Sequence, residues 1–386
     1  MNLETKIVEV LKKSFIYCIN NSFRSYDHFD ALNSPLGNLI KSKYLKRLFL
    51  QLLSRSPINF RPIIGVKKSV IPKTISDLLS AAIKLKNISC EIKEISINNL
   101  KNLLIEMSIG GYSGKCWGLP FEFVSRNGIM KKNTPNVITT YYAVSALLDL
   151  YEAYKDENVL KICKESVDFF INDIGYCEIN DSLFFGYYPG NIHPIHNSNL
   201  LVSSLLSRIG KLTLNDSLLQ IGEKGMKFSA NSQRKDGSWV YGEEPNLQWI
   251  DNFHTGYNLE AMYLYRKYAE NSKFDSQIVN GYNYYINNMF TKKGIPKYYN
   301  TRNYPVDSQT IAQSILTLTL FSDFNVNSEI ILNNILKYTI NNFYNSEGFF
   351  YFRRYPHYAI KINYLRWSTS PMILALTNYL EKCLKY

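Results

Sequence analysis

Three of the five histidines in this 386-residue chain sit in short polar segments that lead into apolar, helix-periodic stretches. His193 and His196 lie in Asn191-Ile-His-Pro-Ile-His-Asn197, and His254 ends Trp249-Ile-Asp-Asn-Phe-His254. An imidazole changes charge near neutral pH, so it is the side chain best suited to take a proton and return it. Asp251 stands three residues before His254, within one helical turn, where a carboxylate can orient the ring and favour its protonated form. The same Asp251 or Asn252 also reads as a helix cap, and Asp307 before Ser308-Gln309 carries the same two readings. His-x-x-His is a weak metal signal without a third ligand at fixed spacing, so neither a metal nor another cofactor is expected.

Carboxylates and flat rings surround these positions in the sequence. Glu122, Glu243 and Glu244 follow aromatic turns, where a pair of carboxylates could act on a glycosidic bond or simply be solvated. Arg354 and Arg366 offer planar forks for an anionic group, or surface ion pairs. The catalytic set read from these positions is His254, Asp251, His196, Tyr142 and Asp307. The binding set is Trp117, Glu122, Tyr141, His193, Glu243, Tyr257, Arg366 and Trp367. For Trp239 a structural role at a turn is the better reading.

Helices must hold these groups together. Apolar residues at i, i+3, i+4 and i+7 predict helix pairs over 137–154 and 158–171, 197–209 and 215–230, 254–269 and 275–289, and 308–321 and 328–342. A last helix over 370–384 needs a partner from the N-terminal region. Before the pairs come an amphipathic helix to about residue 20, a loop at Tyr26–Pro35, and a basic helix from about Leu39 to Leu53. A helix within 71–92 follows, with Pro72 near its start and Thr74 or Ser76 as caps, and then one from Ser96 to about Met107.

Turn-plus-aromatic segments separate the pairs: Gly114-Lys-Cys-Trp117, Asp181-Ser-Leu-Phe-Phe185, Asp236-Gly-Ser-Trp239, Lys293-Gly-Ile-Pro-Lys-Tyr298 and Ser346-Glu-Gly-Phe-Phe350. They are too short and Gly-rich to be core strands. From the second to the fifth they recur roughly every 55 residues, the size of one helical hairpin with its loops. Hairpins in such a series bury their apolar faces best by closing into a ring, with an open solenoid as the competing arrangement. In a ring, the loops entering the inner helices converge at one end, which gathers the histidines, acids and aromatics. Helix N-termini at that end favour a carboxylate or phosphate.

Composition narrows the classes. The formal charge is +12 and 14% of residues are aromatic, with 30 Tyr. A basic surface favours anionic partners, but no zinc-finger spacing or basic arm is present, so nucleic acid is not expected as a partner. An acidic polymer or a lipid-linked phosphate fits the charge, as does work at a membrane surface. Cys18, Cys90, Cys116, Cys163, Cys177 and Cys383 are dispersed, the pattern of reduced thiols. Charges at Lys6, Glu9, Lys12 and Lys13 break up the N-terminus, so it is not a signal peptide. No apolar run approaches the roughly 20 residues of a membrane span. A cytoplasmic protein is expected.

Gln233-Arg-Lys-Asp-Gly-Ser-Trp239 resembles the Q-x-x-D-G-S-W repeat of the terpenoid cyclase and protein prenyltransferase α/α toroids. The cyclase Asp-x-Asp-Asp segment and the prenyltransferase zinc ligands are missing from the sequence, so neither chemistry carries over. The repeat layout from about residue 75 is similar to the six-hairpin toroids of glycan-active enzymes, which include hydrolases, lyases and sugar epimerases. Tyr26-Asp-His-Phe-Asp-Ala-Leu-Asn-Ser34 and Ser56-Pro-Ile-Asn-Phe-Arg-Pro62 resemble segments of toroid proteins encoded with bacterial surface-polysaccharide biosynthesis enzymes. These resemblances imply an all-α, (α/α)6 toroid over residues 71–386, with an irregular helical N-terminal extension over 1–70. They imply acid/base chemistry on a glycan or other sugar-containing substrate, with a non-catalytic binding toroid and an isoprenoid-handling one as alternatives.

Overall fold

The computed structural model describes residues 2–88, 92, 95–125 and 128–384. From the N-terminus, α1 (Leu3–Asn20) is followed by the short α2 (Pro35–Leu39) and by α3 (Lys43–Arg55). Five helical hairpins come next: α4–α5 (Pro72–Asn87, Ile97–Glu106), α6–α7 (Val137–Tyr154, Glu157–Asp168), α8–α9 (His196–Thr213, Asp216–Asn231), α10–α11 (Asn252–Ala269, Asp275–Asn288) and α12–α13 (Ser308–Leu320, Asn327–Asn342). α14 (Thr369–Leu384) is last.

The first helix of each hairpin packs against the next, from α4 through α6, α8, α10 and α12 to α14, and α14 returns to α4. The ring is closed: this is the (α/α)6 toroid. The reason lies in the two kinds of helix. Inner helices are buried nearly all round, as in α8, where every residue from His196 to Gly210 is covered. Outer helices bury one stripe, as in α9 with Leu218, Gly222, Gly225, Met226 and Ser229. α1 takes the sixth outer place, against α14, so the contact crosses the expected boundary at residue 70. Residues 21–71 lie outside the ring.

The turns show how one sequence rule builds each repeat. Trp239 Nε1 donates to Ser229 O at 2.8 Å, and Trp117 Nε1 donates to Leu104 O at 2.7 Å. In both cases a buried indole closes the end of the preceding outer helix, using a carbonyl the helix cannot satisfy itself. Gly237 carries φ +89° in this turn, and a Cβ there would lie 2.3 Å from Asn280 O on α11. Gly237→Ala is therefore expected to lower stability by about 1–3 kcal/mol, read as a shift in the urea unfolding midpoint.

Three details depart from the sequence expectation. Asp181–Phe185 does form a strand: β3 (Tyr176–Ile179) pairs with β4 (Ser182–Phe185), whose four residues are all buried. It forms because Leu183 and Phe185 pack into the main core. α4 begins at Pro72 rather than after a Thr74 or Ser76 cap, since proline suits the first turn, where an N–H would have no partner. α3 starts at Lys43, not Leu39, because α2 ends there and Ile40 turns extended. Among the described residues, Cys18, Cys116 and Cys163 are buried free thiols and Cys177 and Cys383 are exposed ones; Cys90 lies outside the described residues. No described helix is long and apolar enough to cross a membrane.

The segment 21–71 docks over the end of the ring where the inner helices start. Arg61, wholly buried, reaches Asp30 Oδ1 at 2.6 Å and the Tyr364 hydroxyl at 2.8 Å. Arg366, just before α14, forms a two-pronged pair with Asp27 at 2.6 and 2.8 Å. α3 lays Phe49, Leu50 and Leu53 against Ala31, Leu32 and Val124, the last in the short strand β1 (Phe123–Ser125).

Candidate active site at the ring mouth

Three inner helices open with the same device. Asn136 accepts from Thr139 N at 2.9 Å, Asp251 from His254 N at 3.0 Å, and Asp307 from Gln309 N at 3.0 Å. The cap reading thus holds at each position. Asp251 does more. Its second oxygen accepts Trp249 Nε1 at 2.8 Å and His254 Nδ1 at 2.7 Å.

An ionised carboxylate only accepts, so His254 carries its proton on Nδ1 and presents Nε2 as a lone pair. Nε2 has no hydrogen-bond partner among the described residues and is not buried. Tyr241 stacks on Trp249 at 4.5 Å and also lies 4.5 Å from the His254 ring, which fixes the plane of the imidazole. The result is an oriented base open to solvent.

One turn further along α10, Tyr257 is placed on the same face, its ring centre 6.2 Å from that of His254. Gln309 Nε2 donates to the Tyr257 hydroxyl at 2.6 Å, and the Tyr142 ring lies edge-on to Tyr257 with centres 6.3 Å apart. The Gln309 amide occupies one lone pair of the Tyr257 oxygen and leaves the hydroxyl able to donate its own proton. Burial pushes the Tyr257 phenol well above its ordinary range, so it stays protonated.

Cations stand beneath and beside this pair. Lys73 Nζ lies 4.0 Å from the Tyr142 ring centre and binds Asp77 at 2.8 Å; Ser370 donates to Asp77 at 2.8 Å. Burial lowers the Lys73 ammonium and raises the Asp77 carboxyl, with the partner charge opposing each shift. Deeper in the bore, Gln313 holds Glu260 at 3.0 Å, and burial raises the Glu260 carboxyl. The bore is polar, which argues against a hydrocarbon channel of the isoprenoid type.

The structure separates the expected residues into two groups. His254, Asp251, Tyr142 and Tyr257 come together at the mouth. His196 is turned to the outer layer: its two nitrogens meet Ser229 Oγ at 3.1 Å and Glu243 Oε1 at 2.7 Å, and its side chain is fully buried. His196 therefore ties α8 to Ser229 of α9 and to Glu243 in the loop before α10, and its hydrogen bond holds the Glu243 carboxyl below its usual range. His193 pairs with Glu244 on the rim.

Asp307 is spent on structure, since it also accepts Arg353 at 2.9 Å and Trp367 Nε1 at 3.2 Å and is wholly buried. Trp117 is equally closed off, so its expected place in a binding surface gives way to the helix-end role. Tyr141 faces Ser145 and Ser204 within the wall, and Glu122 pairs with Lys46 at 2.6 Å. Arg366 is held by Asp27, while Trp367 keeps part of its ring open near Phe253.

Residues missed in the sequence include Lys73, Asp77 and His28. A signal existed for the first two: opposite charges at i, i+4, on the side of the helix that also carries Ser76, Ser80 and Lys84. His28 gave none, because its neighbours are distant in the chain. It packs within 4.4 Å of Trp367 and 4.9 Å of Phe352 by ring centres, and Nδ1 lies 3.6 Å from Asp27 Oδ1, beyond hydrogen-bond range.

Burial, reinforced by Arg366, Arg353 and Arg61, holds the His28 imidazole well below its ordinary value. Its folded form is thus neutral while the unfolded chain takes up a proton below about pH 6.5. Stability is full above that pH and falls as the pH drops, by ~1.4 kcal/mol per unit for this group. Burial raises Asp30 to about 6, which acts in the opposite sense, so the test is the difference between proteins. His28→Phe should flatten the loss of stability between pH 6.5 and 5 relative to the unmodified chain.

Searches with protein-family models and with curated protein sequences found no match. Solved structures do match. A cellobiose 2-epimerase from Bacillus thermoamylovorans aligns with TM-score 0.65 at 11% identity, over 82% of this chain and 88% of that one. A polysaccharide lyase aligns with TM-score 0.60 at 8% identity, over 100% and 98%. A family 76 glycoside hydrolase, a mannosidase of Bacteroides thetaiotaomicron, aligns with TM-score 0.52 at 12% identity, over 81% and 87%. At such identities the likeness is one of fold: the chain shares the six-hairpin α/α toroid with these sugar enzymes.

Proposed function

We propose that this protein is a glycan-active enzyme that moves a proton on a sugar carbon, by epimerisation or elimination. His254 Nε2 takes the proton, with Asp251 holding the ring and stabilising the imidazolium that forms. Tyr257 returns a proton, to carbon in an epimerisation or to the leaving oxygen in an elimination. The exposed lysines and arginines of the segment 21–71 add a positive field around the mouth, which suits an acidic sugar or one linked to a phosphate-bearing lipid.

The observation that carries this reading is the His254–Asp251 contact at 2.7 Å with Nε2 left open. Hydrolysis is less well supported. It needs two available carboxylates, and those at the mouth, Asp27, Asp251 and Asp307, are each bound to a cation, an imidazole or a cap. The fold shared with an epimerase and a lyase is compatible with the proposal. Surface-polysaccharide biosynthesis is proposed as the setting, on the likeness of the segments at Tyr26 and Ser56.

A non-catalytic glycan-binding toroid is the second reading, favoured by the stacked Tyr241–Trp249 platform beside the mouth. Incubation with uronate-containing and neutral oligosaccharides separates the two. A new unsaturated or epimeric product supports the enzyme. Binding without any product supports the module, and release of reducing ends alone would point back to hydrolysis.

A further inference from the structure

Between Asp30 and Asp77 the chain carries nine Lys and Arg residues and no acid. Two of the nine, Arg61 and Lys73, are buried in the ion pairs described above. The other seven lie on the surface segment that docks over the mouth; Lys46 pairs with Glu122, and the remaining six stand around an apolar face that nothing covers among the described residues.

α3 is apolar on two sides. At 100° per residue, Phe49, Leu50 and Leu53 share the side that packs on Ala31, Leu32 and Val124. Leu45, Leu48 and Leu52 fall on the adjoining side, which turns away from that contact, at 57%, 54% and 63% exposure. Leu39 before the helix and Ile58 and Ile63 after it are also exposed, at 76%, 60% and 79%. A solvent-facing helix side has no reason to be this apolar, and a contiguous exposed patch marks an interaction surface.

We propose that this face docks the protein on an anionic lipid membrane, with α3 lying in the plane of the headgroups. Charge selects this occupant. An amphipathic helix with basic flanks binds anionic lipid through apolar insertion plus attraction to the surface, and Lys41, Lys43, Arg55, Lys67 and Lys68 are exposed around the patch. A second copy of the chain would bring the same cations face to face, a repulsive arrangement. A cleft of about 420 Å³ lined by Lys43, Tyr44, Arg47, Ser125 and Asn246 runs from α3 to the loop before α10, leaving cationic side chains over space for headgroups. α3 belongs to the segment that docks over the mouth and packs on β1, so docking would bring the mouth toward the bilayer, where a lipid-linked sugar would be presented.

The test is co-sedimentation of the full chain with phosphatidylglycerol vesicles and with phosphatidylcholine vesicles, without any glycan, so that its outcome is independent of the proposed chemistry. Binding to the anionic vesicles that weakens with salt, and little to the neutral ones, is expected. Leu48→Glu with Leu52→Glu should weaken it at least about tenfold. Lys41→Gln and Lys67→Gln should each weaken it by about fivefold. These positions are exposed, and unchanged thermal melting confirms that the fold is kept. No sedimentation with anionic vesicles, equal binding to both compositions, or binding that survives the Leu variants would overturn the proposal. So would a dimer in sedimentation velocity that the Leu variants split, which would assign the face to a second copy.

Discussion

His254→Ala is expected to lower kcat/KM by about 10²–10⁴-fold on any sugar the protein turns over, with little change in thermal stability. The side chain is partly open and its loss leaves the Asp251 cap on the main chain intact. His196→Ala should give the reverse pattern. It removes a fully buried ring between Ser229 and Glu243, so stability falls while kcat in the surviving folded protein is retained. Asp251→Asn separates the two roles of that carboxylate. Asparagine keeps the cap through its amide oxygen, but its NH2 then faces the Trp249 N–H and the imidazole, so a modest fall in melting is expected, and the amide no longer stabilises a charged imidazole. The expected loss in kcat is at least ~10-fold. Equal kinetic losses in the His254 and His196 variants would contradict the assignment.

Asp27→Ala should have the largest effect on stability, a loss of about 3–5 kcal/mol. It leaves the Arg366 guanidinium buried without its two-pronged partner, and it frees the segment 21–71 from the mouth. Urea unfolding reads the energy, and limited proteolysis between residues 31 and 70 reads the release. Asp27→Leu with Arg366→Met is the informative companion, because removing both charges should recover most of the loss. A double variant as unstable as the single one would mean that Asp27 acts through something other than the pair.

The architecture was legible in the sequence because each hairpin repeats a local rule. Apolar periodicity placed α6, α8 to α13 and α14 within a few residues, and the Gly–aromatic turns announced the repeat. The partner of α14 was sought in the N-terminal region and found as α1.

The site was legible in half. Asp251, His254 and Tyr257 are close in the chain, so their spacing on one helix could be read directly. Direction could not. Whether His196 at the start of α8 faces the bore or α9 depends on the twist of that helix in the ring, and Ser229 and Glu243 decide it from 33 and 47 residues away. His28 and Asp27 were invisible for the same reason, as their partners Trp367 and Arg366 lie more than 330 residues downstream. Asp307 shows the limit of motif reading: it shares its cap position with Asp251, and only the Arg353 and Trp367 contacts show that it is fully engaged.

Deuterium exchange tests the central claim most directly. The protein is incubated in heavy water with acidic and lipid-linked glycans, and the sugar C–H signals are followed by proton NMR. The account predicts that one C–H signal is lost or converted to product in the presence of the unmodified chain, and is untouched by the His254→Ala variant. Loss of a C–H signal that persists without His254, or turnover that leaves every sugar C–H in place with no deuterium taken up, would contradict it.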